Sequence, residues 1–87
     1  MEYVWFLNTW HAFFTDAGDY DELLYHTVVY KTYEAACAEA EQAVETYGTT
    51  EHGWSVEGCR EFGRYWKTSM SSRGGVYFEV TRKTVHE

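Results

Sequence analysis

TYEAACAEAEQAVETYG, residues 32–48, decides how the rest of the chain must be arranged. Tyr33, Ala36, Cys37, Ala40, Ala43, Val44 and Tyr47 recur at i, i+3, i+4, i+7, i+10, i+11 and i+14, which is one face of an α-helix. Thr32 is read as its N-cap and Gly48 as its C′ stop. The apolar face is built from small side chains between two tyrosines, so it can approach a sheet closely. Glu34, Glu41 and Glu45 form a stripe on the opposite side, flanked by Glu39 and Gln42, and no lysine or arginine falls within the helix. The Glu41/Glu45 pair at i, i+4 costs a few tenths of a kcal/mol. Glu34, in the first turn, instead complements the helix dipole.

On both sides of this helix the pattern changes to that of strands. Glu2–Phe14 is rich in Tyr, Trp, Phe and Val, which suit a pleated surface. Val4, Phe6, Trp10, Ala12 and Phe14 share one face of it, and Tyr3, Trp5 and Leu7 the other. Both faces start apolar, so periodicity alone does not choose the buried one; such a strand is central, or its second face serves a partner. Thr15–Glu22 (TDAGDYDE) reads as a turn. Leu23–Lys31 reads as a second strand, with Leu24, His26, Val28 and Tyr30 alternating against Tyr25, Thr27 and Val29, and a hairpin is the simplest pairing. After the helix, Thr49–Gly53 is a loop and Trp54–Glu57 a short strand. Gly58–Gly63 is ambiguous because its glycines break either pattern. Arg64–Met70 and Val76–Val85 form a closing hairpin around Ser71–Gly75. The order β-β-α-β-(β)-β predicts an α+β fold: a small antiparallel β-sheet with one amphipathic helix packed on one face.

Eighty-seven residues make a single domain, 1–87. A chain this short buries only about 60–65% of its unfolded surface, so its core is small. Seventeen Phe, Trp and Tyr offset that, and some of them are expected at the surface, where such rings anchor protein interfaces. Two cysteines, Cys37 and Cys59, are too few for a disulfide framework; two free thiols are expected, with one Cys37–Cys59 bridge as the alternative. The run Tyr3–Phe14 is preceded by Glu2 rather than a basic region, so no targeting signal is read and a soluble, cytoplasmic protein is expected.

Charge is sorted along the chain. Residues 1–57 hold eleven acidic side chains against Lys31, a formal −10; residues 58–87 carry a formal +3; the sum is −7. This surface repels nucleic-acid phosphates and anionic membranes. The candidate binding residues are therefore Asp16, Asp19, Asp21 and Glu22 in the turn with Glu34, Glu41 and Glu45 on the helix. Along the helix axis Glu34 and Glu41 stand about 10 Å apart and Glu41 and Glu45 about 6 Å. Carboxylates so spaced match a row of cations built to hold phosphates. The bland alternative is a solvated face.

Other constellations carry less. Asp16-x-x-Asp19-x-Asp21-Glu22 lacks EF-hand spacing, and His11, His26, His52, His86, Cys37 and Cys59 lack metal-ligand spacing, so no metal or cofactor is expected. His11 and His26 meet across the first hairpin only as a cross-strand pair. Nothing places a nucleophile beside an oriented base, and no enzyme is expected. Arg60, Arg64, Lys67, Arg73, Arg82 and Lys83, interleaved with Phe62, Tyr65, Trp66, Tyr77 and Phe78, support an alternative: a small module binding nucleic acid on its C-terminal hairpin. A phage structural or assembly protein is a third.

In size, acidity and strand–strand–helix–strand pattern the chain resembles the small inhibitors that phages encode against bacterial defence, anti-CRISPR proteins above all. That resemblance implies stoichiometric binding to a CRISPR effector or nuclease. The expected function is thus a non-enzymatic inhibitor whose acidic surface docks on a cationic, nucleic-acid-binding protein surface, with no membrane and no direct nucleic-acid contact.

Overall fold

A computed structural model describes residues 2–48, 53–68 and 75–86, with the side chains of Lys67 and Thr68 left out. Residues 49–52 of the loop expected at 49–53, residues 69–70 of the strand expected at 64–70 and residues 71–74 of the turn expected at 71–75 lie outside the described residues, as do Arg73 and His52. The elements are β1 (Tyr3–Phe14), β2 (Tyr20–Tyr30), α1 (Tyr33–Tyr47), β3 (Trp54–Cys59), β4 (Gly63–Thr68) and β5 (Gly75–Thr84). They form one five-stranded sheet in the order β2-β1-β5-β4-β3, every neighbour antiparallel, with α1 laid across one face. This is the α+β architecture read from the sequence.

The helix forms where its periodicity and caps place it. Thr32 is extended (φ −128°, ψ 150°), and its Oγ1 accepts the Ala35 N–H at 3.1 Å. Such a cap contributes about 1 kcal/mol. Gly48 closes the other end, donating its N–H to the Val44 carbonyl at 3.0 Å. Ala36 and Ala40 are fully buried, and Tyr33, Cys37, Ala43 and Val44 pack around them. Their small size lets the backbone of α1 come down onto Trp5 and Leu7 of β1, Trp66 of β4 and Phe78 and Val80 of β5.

That packing settles which face of β1 is inward. Trp5 and Leu7 face the helix, and the cross-strand pairs Trp5↔Tyr30, Leu7↔Val28 and Leu7↔Val80 carry the same face into β2 and β5. Val4, Phe6, Asn8, Trp10, Ala12 and Phe14 lie on the uncovered face. β1 is an interior strand between β2 and β5.

Three expectations are corrected, for the first turn, the alternation of the second strand and the His11–His26 pair, and the ambiguity at Gly58–Gly63 is resolved. The first turn is shorter than Thr15–Glu22: β2 begins at Tyr20, because Gly18 N–H to Thr15 O (2.8 Å) and Thr15 N–H to Asp19 O (2.7 Å) already close the chain. Asp21 and Glu22 are therefore strand residues on opposite faces. The second strand does not keep one alternation. Thr9 pairs with His26 but Trp10 pairs with Leu24, so Tyr25 is an extra residue, a β-bulge. The bulge sends Leu24 to the uncovered face while His26, Val28 and Tyr30 stay under the helix. His26 thus stands opposite Thr9, and His11 stacks on Tyr25 instead (centroids 4.9 Å apart). Finally, Gly58 and Gly63 lie within paired strand ends, flanking a tight turn at 60–62.

Candidate functional site

Beyond Thr9 the first hairpin leaves the helix behind. The groove between α1 and the β1–β2 pair ends at Thr9, His26 and Tyr47, and among the described residues β5 pairs with β1 as far as Ala12. The part of the β1–β2 hairpin beyond the helix, Trp10–Phe14 with Tyr20–Tyr25, forms an arm closed by the Thr15–Asp19 turn and flanked at its base by β5 along Trp10–Ala12, on a molecule 44 Å long and 26 Å wide. The arm is apolar on both faces. Phe13, Leu23 and Tyr25 stand on the helix side and Phe14, Tyr20 and Leu24 on the other, with exposures from 37% at Phe13 to 69% at Tyr25. Rings in this series are partly ordered by one another, His11 on Tyr25 and Phe14 edge-on to Tyr20 (6.1 Å). An exposed cluster of this size is what protein interfaces use for anchors.

Four of the seven carboxylates singled out in the sequence border this arm. Asp16 and Asp19 are exposed in its turn, Asp21 lies on the helix side and Glu22 on the uncovered side. Asp21 accepts the Glu22 N–H at 2.8 Å. Glu22 is held by two phenols, accepting from Tyr20 OH and from Tyr77 OH (2.9 Å). Burial, and then this carboxylate, push the Tyr77 hydroxyl far above the usual phenol range; the Glu22 bond does the same, more mildly, for Tyr20. Residues 1–30 contain neither lysine nor arginine, so no cation belonging to the arm offsets these acids.

The other three are elsewhere and differ in state. Glu34 pairs with Arg60 at 2.9 Å. Both side chains are more than half exposed, so the pair contributes about 0–1 kcal/mol, but it cancels the Glu34 charge locally. Glu41 accepts the buried Trp66 indole N–H at 3.2 Å. Glu45 is exposed near the helix C-terminus. The helix stripe and the acidic turn are thus two groups, not one continuous surface.

The middle of the uncovered sheet face is a polar ladder. Thr27, Asn8 and Glu79 are register partners on three adjacent strands. Thr27 Oγ1 donates to Asn8 Oδ1 (2.8 Å), Asn8 Nδ2 donates to Glu79 Oε1 (3.0 Å), and Trp10 Nε1 donates to the same oxygen (3.1 Å). Trp10 lies stacked along Tyr77 (5.9 Å). This ladder satisfies a buried Asn8 and lets an otherwise apolar face meet water.

Among the described cations of the C-terminal half, Lys83 stands apart from Arg60, Arg64 and Arg82. Arg64 and Arg82 pair with Val80 and Trp5 and so stand on the helix side, whereas Lys83 pairs with Val4 on the uncovered face. Arg64 lies over the Trp66 ring (5.3 Å).

Among the described residues no three His, Cys, Asp or Glu side chains converge as metal ligands, and no helix is long and apolar enough to cross a membrane. Cys37 and Cys59 are free thiols. Burial pushes the Cys37 thiol up, while Cys59 is exposed at the end of β3. Iodoacetamide at neutral pH is therefore expected to alkylate Cys59 well ahead of Cys37, as followed by peptide mass spectrometry. Equal rates would mean that the α1 face opens readily to solvent.

The sequence reading placed the acids of the arm but not its anchors. The signal was present in Leu23-Leu24-Tyr25, three consecutive apolar residues that no strict alternation accommodates. Scans of the chain against family models, curated proteins and solved structures find no match.

Proposed function

We propose that this chain is a non-enzymatic protein-binding module that inserts its β1–β2 arm into a basic, partly apolar surface of a partner protein, of the kind that otherwise holds nucleic acid. The observation that carries this reading is the juxtaposition on one arm of six exposed apolar side chains with Asp16, Asp19, Asp21 and Glu22, in a stretch without lysine or arginine. Charge attraction speeds encounter and ring burial supplies affinity. Glu34, already paired with Arg60, and Glu41, engaged by Trp66, contribute to the general negative field rather than to the contact. The profile resemblance to phage inhibitors makes a CRISPR effector the first partner to assay.

The test compares two triple variants in capture from bacterial lysate. Asp16→Lys/Asp19→Lys/Asp21→Lys alters exposed positions and leaves Glu22 with its two tyrosines. Glu34→Lys/Glu41→Lys/Glu45→Lys alters the helix stripe. The arm triple is expected to weaken retention of the specific partner at least about tenfold, and raised salt to weaken wild-type retention in the same way. Loss of the partner by the helix triple, with the arm triple binding like wild type, would reject docking through the arm.

A further inference from the structure

At the end of the sheet opposite the arm, the topology gathers cations that the sequence keeps far apart. Lys31 follows β2, Arg60 sits in the β3–β4 turn and Arg82 is near the end of β5, yet all three line one open cleft of about 570 Å³. The cleft is walled by the rings of Tyr3, Trp5 and Tyr33. Glu34 and Glu61 also border it, so its lining is one charge positive in a chain whose net charge is −7.

The two guanidinium groups are pre-positioned. Arg82 lies over the Tyr3 ring at 4.3 Å and Arg60 over the Tyr33 ring at 5.5 Å. A stacked guanidinium keeps its N–H edge available for a forked contact to phosphate. Tyr33 is itself braced edge-on by Trp5 (5.0 Å), which is 8% exposed. Tyr3, which carries Arg82 over one ring face, is 39% exposed at the open side of the cleft. The Arg60–Glu34 pair is solvent-exposed and weak, so a phosphate dianion can displace the Glu34 carboxylate.

We infer that this cleft binds a nucleotide: a phosphate held by Arg60, Arg82 and Lys31 with a base lying against the Tyr3 ring. Its volume falls within the roughly 300–1,000 Å³ of small-ligand sites. A divalent cation is disfavoured by the lining charge. A duplex is disfavoured by the acidic surface beyond the cleft, which leaves a free mononucleotide or the phosphorylated end of a single strand as the source.

The test is a ¹H–¹⁵N NMR titration of the full chain with AMP, adenosine, inorganic phosphate and a 5′-phosphorylated oligoadenylate. AMP is expected to give saturable shifts at the Lys31, Thr32 and Tyr33 amides and the Trp5 indole N–H. Adenosine and phosphate alone should each bind at least about tenfold more weakly. Arg60→Ala and Arg82→Ala should each weaken AMP about tenfold, Lys83→Ala should leave it unchanged, and Glu34→Gln should tighten it. Arg82→Gln serves if the alanine variant loses its native spectrum. An oligonucleotide that binds more tightly than AMP, and does so through Arg82, identifies a strand end as the ligand; equal affinity identifies the free nucleotide. The inference is overturned if no saturable shift appears, if the shifts map away from the cleft, if Arg60→Ala and Arg82→Ala bind like wild type, or if phosphate binds as tightly as AMP.

Discussion

Trp66→Ala is expected to lower the unfolding free energy by about 3–5 kcal/mol. Trp66 is 1% exposed and, with Val80, is one of the largest fully buried side chains. It projects from β4 into the core under α1, in one cluster with Ala36, Ala40, Phe78 and Val80. The alanines have no atoms with which to follow a retreating neighbour, and Phe78 is held by its stacking on Trp54 (5.6 Å), so the cavity stays open. The truncation also strips Glu41 of its indole donor. A domain this small has roughly 5–15 kcal/mol in all, so the loss brings it close to unfolding. Urea denaturation followed by circular dichroism measures the effect. Trp66→Phe, which retains a ring, is expected to lose less. A loss under about 1 kcal/mol for the alanine variant would show that the core is not organised around this indole.

Gly63→Ala is expected to be comparably severe, for a backbone reason. Gly63 has φ +120°, and a Cβ placed there meets the Val80 carbonyl oxygen at 2.2 Å. The obstacle is main chain in the central strand and cannot swing aside. Across the turn, a Cβ on Gly58 (φ +98°) meets Gly63 O at 2.5 Å, so the two glycines allow β3, β4 and β5 to close together. The clash and the left-handed conformation together cost about 3 kcal/mol or more. Gly18→Ala is the matched control, since its φ of +83° is similarly unfavourable but open space surrounds it. It should lose only about 1–2 kcal/mol. Equal losses for Gly18→Ala and Gly63→Ala in the same denaturation would mean that the turn at 60–62 adapts.

These two sites also show what the linear sequence contains. The helix was legible to the residue, Tyr33–Tyr47, because a seven-member apolar pattern, a threonine cap and a glycine stop agree. Gly58 and Gly63 were visible as breaks, but their purpose depends on a strand seventeen positions beyond Gly63, at Val80, which no local rule supplies. The inner face of β1 was undecided because its two faces are equally apolar; the packing of Trp5 and Leu7 on Ala36 and Ala40 decides it, and the Asn8–Glu79 ladder explains how the other face remains uncovered. The run Leu23-Leu24-Tyr25 interrupts strict alternation, but that Tyr25 is the extra residue of a bulge follows only from the register against β1. The acids were legible as residues but not as groups. Arg60 lies twenty-six positions from Glu34, and only the β3–β4 turn folding over the start of α1 makes them partners. For the same reason the Lys31–Arg60–Arg82 cleft has no signature in the sequence: it requires the order β2-β1-β5-β4-β3.

The claim that the arm is the docking element is tested most directly by site-specific photo-cross-linking. A benzophenone side chain is placed at position 23 or 25 on the arm and, separately, at position 62, since Phe62 is 73% exposed, more so than any of the arm's six apolar residues. Exposure alone therefore favours position 62, whereas docking through the arm favours 23 and 25. With the captured partner present, irradiation is expected to give a cross-linked heterodimer from positions 23 and 25 and none from 62. Cross-linking from 62, with none from 23 or 25, would contradict it.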